Sequence, residues 1–151
     1  MVPARDGRGA PVAAPDRARW NRLEDRTGQG SDLSVASGPA LIMAKARSFK
    51  DRGYGQGRPV DLAKAGKHAY DIVCLATSYR AGVSALVAEW KALSHHLLKG
   101  KTLGILTDEL SSAGALGPRL AAGFIRANTG PAAGVEDLVS QQLRAFVDAV
   151  R

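Results

Sequence analysis

Apolar positions in this chain fall into short runs and stripes separated by polar or glycine-rich breaks. Asp71-Ile72-Val73-Cys74-Leu75-Ala76 and Thr102-Leu103-Gly104-Ile105-Leu106 are brief apolar runs with little alternation. Such runs predict strands buried on both faces of a parallel sheet. Between them, Val83, Leu86, Val87, Trp90, Leu93 and Leu97 recur at helical spacing, predicting a helix over Val83 to Leu98. Strand, helix and strand in this order form a parallel crossover, so the pattern predicts an α/β domain. Ligands of open α/β sheets bind beyond the carboxyl ends of the strands. The loops expected there are Thr77 to Gly82 and Thr107 to Gly114.

The flanking pattern adds further elements. Ala40 to Ala44 is either a strand or the start of a helix reaching Phe49; so short a run does not separate the two. Gly53 to Pro59 reads as a loop, and Asp61 as the N-cap of a short helix through Ala69, weakened by Gly66. Leu116 to Asn128 reads as a helix with Pro118 in its first turn, where a missing N–H costs nothing. Val135, Leu138, Val139, Leu143, Phe146, Val147 and Val150 form the clearest stripe, predicting a helix over Val135 to Val150. Glu136 and Asp137 suit the positive end of that helix.

Composition divides the chain. Residues 1–39 are rich in Arg, Ala, Gly, Pro and Asp without an apolar period, predicting a flexible basic arm ahead of a domain over 40–151. A weak helical pattern lies around Asp16 to Arg26. The net charge is +7, and residues 1–59 carry eleven Lys and Arg against six Asp and Glu. A basic arm can contact nucleic acid non-specifically, but Tyr54 alone interleaves with Arg52 and Arg58, so a dedicated nucleic-acid groove is not expected. One cysteine, Cys74, excludes an internal disulfide and reads as a buried small hydrophobe, compatible with a reducing, cytoplasmic compartment. No apolar run reaches the roughly 18 residues of a membrane span, and no membrane contact is expected.

The stretch from Asp61 to Gly130 resembles the flavodoxin-like NAD(P)H-dependent FMN reductase and quinone reductase group. The resemblance is carried by the segment entering Tyr70-Asp71-Ile72-Val73, the Thr-x-Tyr-x-x-Gly loop at Thr77 to Gly82, the helix ending at Trp90 and Leu93, and Leu98-Lys99-Gly100-Lys101 before a strand. It implies a small or truncated three-layer flavodoxin-like, Rossmann-like parallel sheet. It implies FMN held by Thr77, Ser78, Tyr79, Arg80 and Gly82, with Ser111, Ser112 and Gly114 nearby, and NAD(P)H as electron donor. The flavin would carry the redox chemistry, so no catalytic acid or base is expected. The family's phosphate loop has no counterpart: Lys45 to Lys50 is charged and lacks glycine. A homodimer completing the site is one expectation.

Leu98 to Leu106 also resembles a nucleotide-domain strand of 2-hydroxyacid dehydrogenases, but Thr107-Asp108-Glu109-Leu110 replaces the Gly-rich turn. The competing class is a non-catalytic interaction protein that binds a partner through its arm or an apolar helix face. Tyr79 and Arg80 read either as ring-stacking and anion-pairing groups or as an exposed loop pair. Asp108 and Glu109 read as solvated charge. His95 and His96, adjacent on a helix, point in different directions and are not expected to chelate a metal together.

Overall fold

The computed structural model, which describes residues 36–93, 97–112 and 114–151, is built from helices joined by turns and loops. The elements are α1 (Gly38–Tyr54), α2 (Leu62–Ser78), α3 (Val83–Ala92), α4 (Leu97–Ile105), a π-helical turn (Leu106–Leu110), α5 (Leu116–Thr129) and α6 (Val135–Val150). Among the described residues there is no strand, so the α/β, flavodoxin-like, Rossmann-like expectation is corrected to a helical bundle. The resemblance to FMN and quinone reductases falls with the sheet that it implied. The arm, except for its last residues, and His95 and His96 lie outside the described residues.

Local chemistry explains the helix ends. The Ser37 hydroxyl accepts from the Ala40 N–H, and Pro39 occupies the first turn of α1. Gly55, at φ 70°, ends α1 in the left-handed conformation. Asp61 caps α2 as expected, accepting from the Lys64 N–H at 3.0 Å. That helix does not stop near Ala69: it continues through both the Tyr70 segment and the run read as the first strand.

The reason is a period longer than the six-residue window. Ala65, Gly66, Ala69, Ile72, Val73 and Ala76 are all buried and share one face of a 3.6-residue helix. This face makes α2 the central helix, packed on α1, α5, α6 and α3. Gly66 serves the packing rather than weakening it. A Cβ there would stand 2.8 Å from the Leu120 carbonyl oxygen of α5, so the two backbones meet at the distance that a missing side chain allows.

The second expected strand, Thr102 to Leu106, is the end of α4 running into the π turn. Leu106 and Leu110 are fully buried there, and Thr102 is buried beside them in sequence. The core is completed by Ile42, Ala46 and Phe49 of α1, Leu86 and Trp90 of α3, and Val139, Leu143, Phe146, Val147 and Val150 of α6. Trp90 meets Phe146 edge to face with centroids 6.1 Å apart. In α6 the stripe forms as expected, except that Leu138 is half exposed. Among the described residues no single helix is long and apolar enough to cross a membrane.

Candidate functional site

Two amphipathic stripes meet across the gap between α1 and α4. From α1 come Ala40, Met43, Ala44, Arg47 and Lys50; from α4 come Leu98, Lys101, Thr102 and Ile105. Each set follows the i, i+3, i+4, i+7 spacing of a single helix face. They enclose an open groove of about 710 Å³, with Gln56 at one end. Its lining is apolar at Ala40, Met43, Ala44, Leu98 and Ile105, and carries the cations Arg47, Lys50 and Lys101.

Two of these cations are held in place. Arg47 donates to Asp51 at 3.1 Å, one turn further along α1. Lys50 donates to Glu109 of the π turn at 2.8 Å, with both side chains mostly buried, and lies 4.7 Å over the Tyr54 ring. Tyr54 also donates its hydroxyl to Glu109. Partial burial first, then the hydrogen bond to Glu109 and its charge, push the Tyr54 phenol up to about 12. Partial burial works against ionisation of Glu109. Hydrogen bonds from Lys50 and Tyr54, with the Lys50 charge, outweigh it and hold the carboxyl below its ordinary range. Glu109 is therefore engaged rather than solvated, whereas Asp108 is exposed. Lys101 has no carboxylate partner among the described residues.

The π turn supports this arrangement. Widening the helix frees the Thr107 carbonyl, which accepts from the hydroxyls of Ser111 at 3.1 Å and Ser112 at 2.7 Å. The Ser111 carbonyl accepts in turn from Ser140 at 3.0 Å and Arg144 at 3.4 Å of α6. Ser111 and Ser112, two of the residues expected near a flavin, thus tie the turn to itself and to α6. They also line a cleft of about 310 Å³ with Thr107, Arg144, Val147, Asp148 and Arg151. Gly114 lines a separate cleft of about 230 Å³ with Pro118, Glu136, Asp137, Ser140, Gln141 and Arg144.

The other expected flavin group lies at the end of α2. Thr77 donates to the Val73 carbonyl at 2.7 Å, while Ser78, Arg80 and Gly82 are exposed. Tyr79 is half-buried and donates to both Glu89 carboxylate oxygens at 3.1 Å. Its ring lies against Gly38, where a Cβ would come within 2.7 Å of it. Tyr79 therefore fastens the α2–α3 turn to the start of α1. Neither the Ser111 cleft nor the Gly114 cleft includes any of Thr77, Ser78, Tyr79, Arg80 or Gly82.

The groove joins segments far apart in the chain, and half of it falls in residues whose apolar pattern predicts a strand and the segment before it. The helical spacing of Leu98, Lys101, Thr102 and Ile105 is the signal of that stripe. Among the described residues no group of three or more His, Cys, Asp or Glu could hold a metal. Comparison of the chain with protein-family models, with curated proteins and with solved structures yields no match.

Proposed function

We propose that this chain is a non-catalytic interaction domain that receives an acidic amphipathic helix of a partner protein in the α1–α4 groove. The supporting observation is the pair of helix-spaced stripes that line the groove with apolar residues beside Arg47, Lys50 and Lys101. Helix-in-groove recognition uses apolar anchors at i, i+3, i+4 and i+7. The α1 stripe from Ala40 to Lys50 extends about 15 Å at the helical rise, room for about three turns of a partner helix. Met43 suits such a lining because its thioether adapts to different side chains. Lys101, the lining cation without a carboxylate partner among the described residues, selects acidic flanks on the incoming helix and speeds its encounter.

This is the interaction class that competes with the flavin reductase in the sequence. The flavin reading rests on loops at strand ends, and among the described residues there is no strand.

The test uses the full chain and a labelled peptide of about twelve residues, with Leu at helical spacing and Glu on the flanks. Saturable binding in fluorescence anisotropy is expected, weakened about tenfold or more in Lys101→Glu and in Met43→Glu. A composition-matched scrambled peptide should not bind. Equal binding of the scrambled peptide, or indifference to both substitutions, overturns the proposal. So does self-association of the wild-type chain that Met43→Glu abolishes, because a second copy would then occupy the groove.

A further inference from the structure

The neighbouring face of α1 presents different chemistry. Ser48 and Arg52, one turn apart on α1, face Lys64 and His68, one turn apart on α2, across a cleft of about 220 Å³. Arg58, from the loop joining the two helices, and Asp51 complete the lining. The loop is fixed at its base, where the Asp61 N–H donates to the Arg52 carbonyl at 2.8 Å.

The charges around this cleft do not balance. Asp51 is engaged by Arg47 at 3.1 Å, and Lys64 pairs with Asp61 at 3.2 Å. Arg52 and Arg58 have no carboxylate partner among the described residues. Two guanidiniums bring flat arrays of N–H donors to one small concavity, together with the Ser48 hydroxyl. His68 contributes a further sign of incompleteness: its Nδ1 is shielded from solvent and has no hydrogen-bond partner.

We propose that this cleft binds a phosphate dianion, free or carried on an ester, through Arg52, Arg58, Lys64 and Ser48, with His68 at its inner wall. A dianion matches the two unpaired guanidiniums, and tetrahedral oxygens accept from donors arriving from several directions at once. A carboxylate would leave one positive charge uncompensated. The volume holds one phosphoryl group with space for the start of a substituent.

His68 supplies an internal reporter. Burial first, then the charge of Lys45 and, more weakly, of Lys67 and Arg52, hold its imidazole below the ordinary value; Asp71 acts in the opposite sense. An adjacent dianion reverses part of this and raises the imidazole pKa.

The experiment titrates the full chain with inorganic phosphate, with a nucleoside monophosphate and with phosphatidic-acid vesicles, while proton NMR follows the His68 ring. Binding in at least one arm and an upward shift of the His68 midpoint are expected. An Arg52→Ala, Arg58→Ala double variant should lose affinity by about tenfold or more. An Arg80→Ala, Lys91→Ala variant, matched in charge and altered at exposed positions elsewhere, should retain it. The three probes separate a free anion, a soluble phosphomonoester and a lipid headgroup. Absence of binding in all three arms at millimolar phosphoryl groups overturns the proposal. So does an equal loss in the charge-matched variant, which would reduce the effect to net charge, or binding that leaves His68 unmoved.

Discussion

The α2–α5 seam and the α1–α4 groove are built from similar small and apolar residues, yet one is closed and the other open. In the seam, Ala65, Gly66 and Ala69 let the α5 backbone approach until a single added carbon would meet the Leu120 carbonyl. In the groove, Ala40 and Ala44 are just as small, but α4 stands far enough away to leave about 710 Å³ between the stripes. The difference lies in what holds the partner helix. The seam is a close backbone-to-backbone fit. The groove wall is held by the π turn, whose Glu109 reaches across to Lys50. Small residues close a contact only where no other element sets the spacing first.

The largest expected effect breaks the seam. Gly66→Val places a branched side chain against the α5 backbone, which has nowhere to withdraw without moving the α6 packing behind it. Overpacking of this kind costs typically about 3 kcal/mol at most. Urea unfolding should show a loss near that ceiling, with an unchanged slope. A loss well under about 1 kcal/mol would mean that the seam opens easily and that its closure does not set the fold.

A smaller effect loosens the groove wall. Glu109→Gln removes the charge that pins Lys50 and Tyr54. With both side chains of the ion pair largely buried but reachable by solvent, the cost at neutral pH is about 1 kcal/mol. The pH dependence carries the sign. Glu109 has a depressed folded pKa, so its contribution is present above the ordinary 4.5 and is lost as pH falls through the lower folded value. Tyr54 has a raised one, so its contribution is full below 10.0 and is lost as pH rises through about 12. In the variant both limbs should flatten, and tyrosinate absorbance should show the highest of the phenol midpoints moving down toward 10.0. An unmoved midpoint would place the cause of the shift in burial alone.

How far these regions are legible in the sequence follows from the same contrast. Val135 to Val150 declares itself because its stripe repeats over four turns without a glycine, and the structure forms that helix with those ends. Asp61 is legible as a cap because its signal is local. Asp71 to Ala76 misleads because the five consecutive apolar residues after Asp71 fit a buried strand and a buried helix equally, and the deciding partners, Ala69 and Ala65, sit one and two turns earlier. Gly66 deepens the error: a glycine in a helix reads as weakness unless the approaching backbone is known. Neither the groove nor the basic cleft is written in any single segment. Lys50 and Glu109 stand 59 positions apart, and no motif relates them. The cleft pairs Ser48 and Arg52 with Lys64 and His68, residues whose neighbourhood depends on the α1–α2 turn. The expected flavin residues, by contrast, belong to segments that only a sheet would turn into loops at strand ends. The structure uses Tyr79, Ser111 and Ser112 as fasteners of helix ends.

The smallest expected effect sharpens the comparison from the open side. Gly100, inside α4, would place an added Cβ in open space, with nothing within 4 Å. Nothing about this position requires glycine: it is exposed, within a regular helix, and it lacks the close approach that Gly66 satisfies. Glycine loses more backbone entropy on folding than alanine does, so Gly100→Ala should stabilise the chain by about 0.5–1 kcal/mol. The same substitution at Gly66 enjoys the same helical preference but drives its Cβ into the Leu120 carbonyl, so its net effect should be unfavourable. Paired urea melts of the two alanine variants therefore compare seam and groove with a single methyl group. Opposite signs are the expected result. If both variants gain stability, the α2–α5 backbones are not in the contact that Gly66 describes. If both lose it, α4 is held by interactions that its own helical preference does not govern, and the groove wall is set more rigidly than the Glu109–Lys50 tie alone provides.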